Sequence, residues 1–327
     1  MTSSDIHAPS FDPPFKLILS LGSGTFGEVL EAKRHYNQQK EKVAIKQFFP
    51  RTKRSHFQNE IAVLKALAEV PHDHILYFLA SRADQSVLEI VFPLAHGNLD
   101  RSLIRSSPKS PTDMASWLLR QMLGVSDAIR YLHDHTASGE KNKGTRRVGF
   151  HHNLKPSNIL LCGSNEPNTA VWKVGDFGSG TIEYHDLSCT ELPYADMEVS
   201  VGCPAYGAPE FIIDGKASQS ADIWSLGCIF LEVLVWAFAV EANPVTYFRD
   251  ERQRSCSGQV VPGPIFWCQD RQGRTYLNMA VLNEWRVLQY SSTEVYGSIL
   301  AILAKMLELS PHARLNASDL CEQLRLV

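Results

Sequence analysis

A carboxylate stands inside the apolar stripe of the first helical segment, and it constrains the fold of this 327-residue chain more than any other single feature. Across residues 55–70, Phe57, Ile61, Leu64 and Leu67 recur at helical spacing. Glu60 falls on the same face, between Phe57 and Leu64. Packed there without a partner it would be costly, so a cation must be brought to it. Lys46 is the candidate, because it closes the apolar strand run Val43-Ala44-Ile45 and would reach the helix from a sheet lying across it. The alternative is a Glu60 that extends from the edge of the stripe into water and needs no partner.

Around this pair the sequence divides in two. Up to Phe92 the runs PFKLILSL, LGSGTFGEVLEAKR, KVAIKQFF, ILYFLAS and SVLEIVF have strand character, which predicts a five-stranded sheet with one helix. Beyond the connector PLAHGNL, helical patterns dominate at 112–133, 220–240 and 296–307. The expected fold class is α+β and bilobal: a small antiparallel-sheet lobe at 15–92, a hinge at 93–97 and a mainly helical lobe at 98–327. Residues 1–14 contain three prolines and no apolar core, and read as a loose tail rather than a secretory signal. Segments 136–147 and 243–270 are rich in polar residues, Gly and Pro, and read as surface insertions.

A net charge of -3 gives no pull toward nucleic acid or an acidic membrane. The longest apolar run, 226–240, is shorter than the roughly 20 residues a membrane span needs and carries Glu232, so a buried helix is expected. Cys162, Cys189, Cys203, Cys228, Cys256, Cys268 and Cys321 are scattered and never form CxxC; reduced thiols and a cytoplasmic location follow, with nuclear entry left open. Gly22, Gly24 and Gly27 lie between two strands, where backbone without Cβ atoms can fold over phosphates, although a bare hairpin would use glycines too.

Taken together, four elements resemble the protein kinase superfamily, and in its order: Leu21 to Val29, Val43 to Lys46, Asp176-Phe177-Gly178 and Ala208-Pro209-Glu210. The resemblance extends from about Phe15 onward and implies ATP and Mg²⁺ as cofactors and a protein substrate or signalling partner. It implies that Val29, Ala44 and Leu160 sandwich the adenine, that the backbone of Phe92 to Leu94 bonds its edge, and that Val91 gates the back pocket. Lys46 and Glu60 would orient the phosphates, and Asp176 and Asn158 would hold the metal. Leu64, Phe78, His151 and Phe177 would stack between the lobes, Asp222 would anchor the catalytic loop, and Glu210 would pair with Arg314.

The departures lie in the transfer machinery. The loop reads His151-His152-Asn153-Leu154-Lys155-Pro156-Ser157-Asn158 where the family reads HRDLKxxN. Asn153 stands at the position of the catalytic aspartate and cannot take a proton, though its carbonyl oxygen can still orient a hydroxyl. His152 replaces the arginine that in many kinases grips an activation-loop phosphate, and Cys203 replaces a threonine. Lys155 matches the Ser/Thr branch. Two readings stay open: a nucleotide-binding pseudokinase or scaffold that signals by shape, and an active or slow Ser/Thr kinase seen in an Asp-to-Asn inactive form. Transfer to a small molecule fits poorly, because the APE element followed by ADIWSLG resembles a peptide-substrate arrangement.

Overall fold

The computed structural model describes residues 15–36, 39–105, 111–134, 145–163, 169–186, 194–196, 204–238, 243–256, 263–291 and 294–327. The tail 1–14, residues 136–144 of the first proposed insertion, 257–262 of the second, and 187–193 and 197–203 with Cys189 and Cys203 lie outside them.

Strands β1 (Lys16–Ser23), β2 (Gly27–Tyr36), β3 (Gln39–Phe48), β4 (Ala80–Ala83) and β5 (Leu88–Pro93) form an antiparallel sheet in the order β1-β2-β3-β5-β4. The helix α1 (Arg54–Leu67) buries Phe57, Ile61, Leu64 and Leu67, the stripe read from spacing, and Glu60 with them. Register sorts the two sheet faces. Val29 lies opposite Lys46, which lies opposite Ile90, and Ala44 lies opposite Phe92, so all five share the face that carries Lys46. Val91 lies opposite Ile45 and Ala80, and packs with Ala32 and Val43 in a separate cluster on the other face. The gating position expected at Val91 is therefore corrected: Phe92, not Val91, lies on the face that carries Lys46. A one-residue offset reverses every side chain in a strand, and the run FPLAHGNL carries nothing that fixes that parity.

The larger lobe comprises β6 (Gly97–Asn98), α2 (Leu99–Arg105), α3 (Pro111–His133), β7 (Thr145–Phe150), β8 (Ile159–Cys162), β9 (Val171–Val174), β10 (Thr181–Asp186), β11 (Tyr194–Asp196), α4 (Pro209–Asp214), β12 (Lys216–Ser218), α5 (Gln219–Phe238), α6 (Pro244–Ser255), β13 (Trp267–Gln269), β14 (Thr275–Leu277), α7 (Met279–Ser291), α8 (Glu294–Met306) and α9 (Ala317–Arg325). Helix α5 is long and apolar enough to cross a membrane, but every residue from Ala221 to Ala237 is buried in the protein; it is the axis of the core. Thr145 to Arg147, read as the end of an insertion, belong to β7, which pairs with β10.

The described residues of segment 243–270 contribute to the core rather than forming a surface insertion throughout. Helix α6 buries Val245, Phe248 and Arg252, and Ile265, Phe266, Trp267 and Cys268 are also buried. Two of its arginines are counter-ions to the carboxylate inside α5: Arg252 Nη2 donates to Glu232 Oε1 at 2.7 Å and Arg249 Nη2 to Oε2 at 2.6 Å, while Tyr206 Oη, from before α4, donates to Oε2 at 3.0 Å. The guanidinium of Arg252 lies over the Phe248 and Phe266 rings, 4.3 and 3.9 Å from their centroids. Cys256 and Cys268, read as separate reduced thiols, form a disulfide, because α6 and β13 fold back on each other.

Arg314 reaches Glu210 through two hydrogen bonds, 2.6 and 2.9 Å, which ties the segment before α9 to α4. The Arg314 side chain is fully buried, so removing its partner strands a charge. Glu210→Ala is expected to destabilise the fold by about 3 kcal/mol or more; an unchanged melting temperature would refute the pairing.

Candidate active site

The cleft face begins at the glycine turn between β1 and β2. A Cβ on Gly27 would lie 2.3 Å from the Gln47 carbonyl oxygen, so the fold itself demands glycine there. Gly24 and Gly22 differ: a Cβ on Gly24 would come no closer than 3.9 Å to the chain, one on Gly22 would have no neighbour within 4 Å, and neither has positive φ. Internal packing does not explain them.

On the next strand, Lys46 Nζ donates to Glu60 Oε2 at 2.7 Å and to Asp176 Oδ1 at 2.8 Å. Burial alone would lower the Lys46 pKa, but Asp176 and then Glu60 more than offset it and hold the ammonium charged. Burial would raise the Asp176 pKa; Lys46 overrides this and brings it down to about 2. The Asp176 side chain keeps 39% exposure, and Lys46 engages its Oδ1, so the carboxylate retains capacity for a cation. Asp176 has φ 60°, a left-handed conformation uncommon outside glycine.

Two more residues hold this arrangement: Gly178, read from sequence only as part of a motif, and Asn59, which sequence reasoning passed over. A Cβ on Gly178 would lie 2.9 Å from Glu60 Oε2 and 3.4 Å from Lys46 Nζ, so a side chain there would enter the ion pair. Asn59 Nδ2 donates to the Gly180 carbonyl at 2.8 Å, fastening α1 to the chain that follows Asp176. The signal for Asn59 was its place beside Glu60 on the helix; its acceptor is far away in sequence and was not legible.

Below them, Leu64, Phe78, His151 and Phe177 belong to or line the core between the lobes, with the His151 and Phe177 rings 5.0 Å apart. Asp222, at the start of α5, accepts from the backbone N–H groups of His151 and His152 at 2.8 and 2.9 Å, and contacts His133 Nε2 at 3.0 Å. Burial would raise the Asp222 pKa, but the His133 contact and the neighbouring histidines bring it to about 2. The loop is thereby fixed in place. Asn158 Nδ2 donates to the Asn153 carbonyl at 2.8 Å, and the Gly175 N–H donates to the Asn158 carbonyl at 2.9 Å, which sets Asn158 beside Asp176 in the fold. Asn153 Oδ1 is buried with no hydrogen-bond partner among the described residues. Leu160, on β8, is half-buried and packs toward Gly175, while Lys155 is half-buried at the loop.

His152 does not act as a substitute for arginine. Its ring is buried and stacked on Phe150, with centroids 5.1 Å apart, and burial pushes its pKa down to about 4 against the opposing pull of Asp222. It is neutral at physiological pH and cannot grip a phosphate by charge. The folded state favours the neutral ring, so stability is full above the unfolded pKa near 6.5 and declines as pH falls toward 4, by about 3 kcal/mol. A His152→Gln variant is expected to show a shallower loss over that window in pH-dependent melting; an identical slope would contradict the assignment.

The fold thus brings together a lysine held between two carboxylates, a glycine turn with open backbone, and an asparagine beside a partly exposed carboxylate. Among the described residues no cluster of three or more His, Cys, Asp or Glu forms a cage for a metal; Mg²⁺ characteristically binds through one or two carboxylates together with phosphate oxygens and water. The chain belongs to the protein kinase family: the protein kinase domain model matches residues 15–324. Its relatives include Ser/Thr protein kinases. It is 27% identical over 229 residues to serine/threonine-protein kinase chk-1 of Caenorhabditis briggsae, covering 67% of this chain and 40% of that protein. It is 28% identical over 226 residues to serine/threonine-protein kinase 36 of Pongo abelii (68% and 15%), and 26% identical over 261 residues to Nek5 of Mus musculus (79% and 36%). The chain thus spans less than half the length of each of these relatives.

Proposed function

We propose that this domain binds ATP with Mg²⁺ in a fully assembled kinase cleft and that phosphoryl transfer is impaired at one position, Asn153, so that it works chiefly as a nucleotide-dependent signalling or scaffolding unit of the Ser/Thr type. The observation that carries this reading is Lys46, bonded at once to Glu60 and Asp176. In this arrangement Lys46 would meet the phosphates, and Asp176 and Asn158 would hold Mg²⁺, which neutralises charge on the transferred group. Gly22 and Gly24 would cover the phosphates; Val29, Ala44 and Leu160 would enclose the base, with backbone from Phe92 to Leu94 at its edge. Asn153 stands where a proton acceptor is expected, and its amide cannot take the proton of a substrate hydroxyl. Proteins are the proposed partners, and the cytoplasm the proposed location.

Thermal melting with ATP and Mg²⁺ tests the binding half of the proposal. A ligand at a hundred times its Kd stabilises by about 2.7 kcal/mol, so a rise in melting temperature is expected. No shift at millimolar nucleotide would leave only a structural role.

A further inference from the structure

The Cys256–Cys268 disulfide lies directly behind the stretch 204–210 that leads into α4, and we propose that its oxidation state controls the order of that stretch, making it a redox-sensitive clamp on the surface expected to dock a protein substrate or partner. The docking role rests on the kinase reading above; the clamp does not.

Each end of the disulfide adjoins residues that hold 204–210. Next to Cys268, Trp267 Nε1 donates to the Gly207 carbonyl at 3.0 Å, and the Phe266 ring lies 5.9 Å from that of Tyr206. One turn before Cys256, Arg252 Nε donates to the Pro264 carbonyl at 3.0 Å while its Nη2 holds Glu232, the carboxylate that receives the Tyr206 hydroxyl. Asn278 joins the two sides, donating to the Arg252 and Ile265 carbonyls at 3.0 and 2.9 Å and contacting Cys256 Sγ at 3.0 Å. The bond therefore ties the end of α6, one turn after Arg252, to the residue next to Trp267, so that Gly207, bonded by Trp267, and Tyr206, bonded through Glu232, are held from its two sides. Cys256 caps the last turn of α6, after the exposed Arg254 and Ser255, so local opening of that turn exposes the bond to a thiol. In a reducing compartment such a bond is not a permanent cross-link, and its state follows the surrounding thiol pool.

Reduction balances with a dithiol as the co-reactant. One thiolate attacks Sγ of Cys256 or Cys268, the S–S bond breaks and a mixed disulfide forms; the second thiolate displaces the protein sulfur. The two cysteines gain two electrons and two protons, and the reductant leaves as a cyclic disulfide.

The test uses the full chain, oxidised or treated with dithiothreitol, with alkylation mapping of cysteines and hydrogen exchange read by peptide. The expected result is that Cys256 and Cys268 become alkylated only after reduction, and that amides at 204–210 then exchange about tenfold faster or more while β3 and α1 are unchanged. A Cys268→Ala variant should show the faster exchange without reductant and no further response to it. If that variant does not fold, the reductant comparison on the unaltered chain still decides. Free thiols at both positions before reduction, or unchanged exchange at 204–210 after it, would overturn the clamp. Faster exchange at 204–210 with no effect on binding of any protein substrate would uphold the clamp and count against the docking role instead.

Discussion

Asn153→Asp is expected to raise phosphoryl transfer by about 10² to 10⁴, the range that a positioned general base contributes. The substitution replaces one amide nitrogen by oxygen and leaves the loop intact, because its position is set by other groups: Asp222 holds the backbone of His151 and His152, and Asn158 bonds the Asn153 carbonyl rather than its side chain. A carboxylate placed there could accept the proton of an incoming hydroxyl, which the amide cannot. Lys46, Asp176 and Asn158 stay as they are, so the gain should appear in kcat with little change in nucleotide affinity. Because the transition state of phosphoryl transfer is loose, the unaltered chain should retain a trace of activity that the variant multiplies. If both proteins bind ATP and neither transfers phosphate, the defect lies beyond Asn153, and the domain is a scaffold whose cleft senses nucleotide.

Lys46→Met should abolish nucleotide binding and cost about 3 to 5 kcal/mol of stability, because it leaves the buried Glu60 without its cation. Asp176 suffers less, being partly exposed. The two losses can be separated. Adding Glu60→Gln to Lys46→Met removes the stranded charge, so chemical denaturation should show part of the stability restored while ATP still fails to bind. A Lys46→Met protein as stable as the original would mean that Glu60 is compensated in another way, and undiminished ATP binding would remove Lys46 from the site.

Much of this cleft was legible because it rests on local rules. The stripe of α1 exposed Glu60 as a misplaced charge, and a misplaced charge has few remedies, so Lys46 followed. The motif order located Asp176, Asp222, Glu210 and Arg314, whose partners lie far apart in sequence but in fixed relation within the family. What escaped was set by three-dimensional closure. Segment 243–270 looked polar because Arg249 and Arg252 are charged, yet their charge holds them, half-buried and buried respectively, against Glu232. Val91 was assigned to the wrong sheet face, since strand parity depends on pairing across β3 and not on the residues of β5. Cys256 and Cys268 meet only because β13 returns to the end of α6, which no spacing rule announces. Gly178 was read as part of a motif, and its clearance from Glu60 and Lys46 became visible only with their side chains in place.

Whether the cleft binds Mg²⁺-ATP is tested most directly by calorimetric titration of ATP into the full chain, with Mg²⁺ and with the metal chelated. Saturable binding that weakens when Mg²⁺ is withheld and disappears in Lys46→Met is the result the structure predicts; no binding at millimolar ATP in the presence of Mg²⁺ would contradict it.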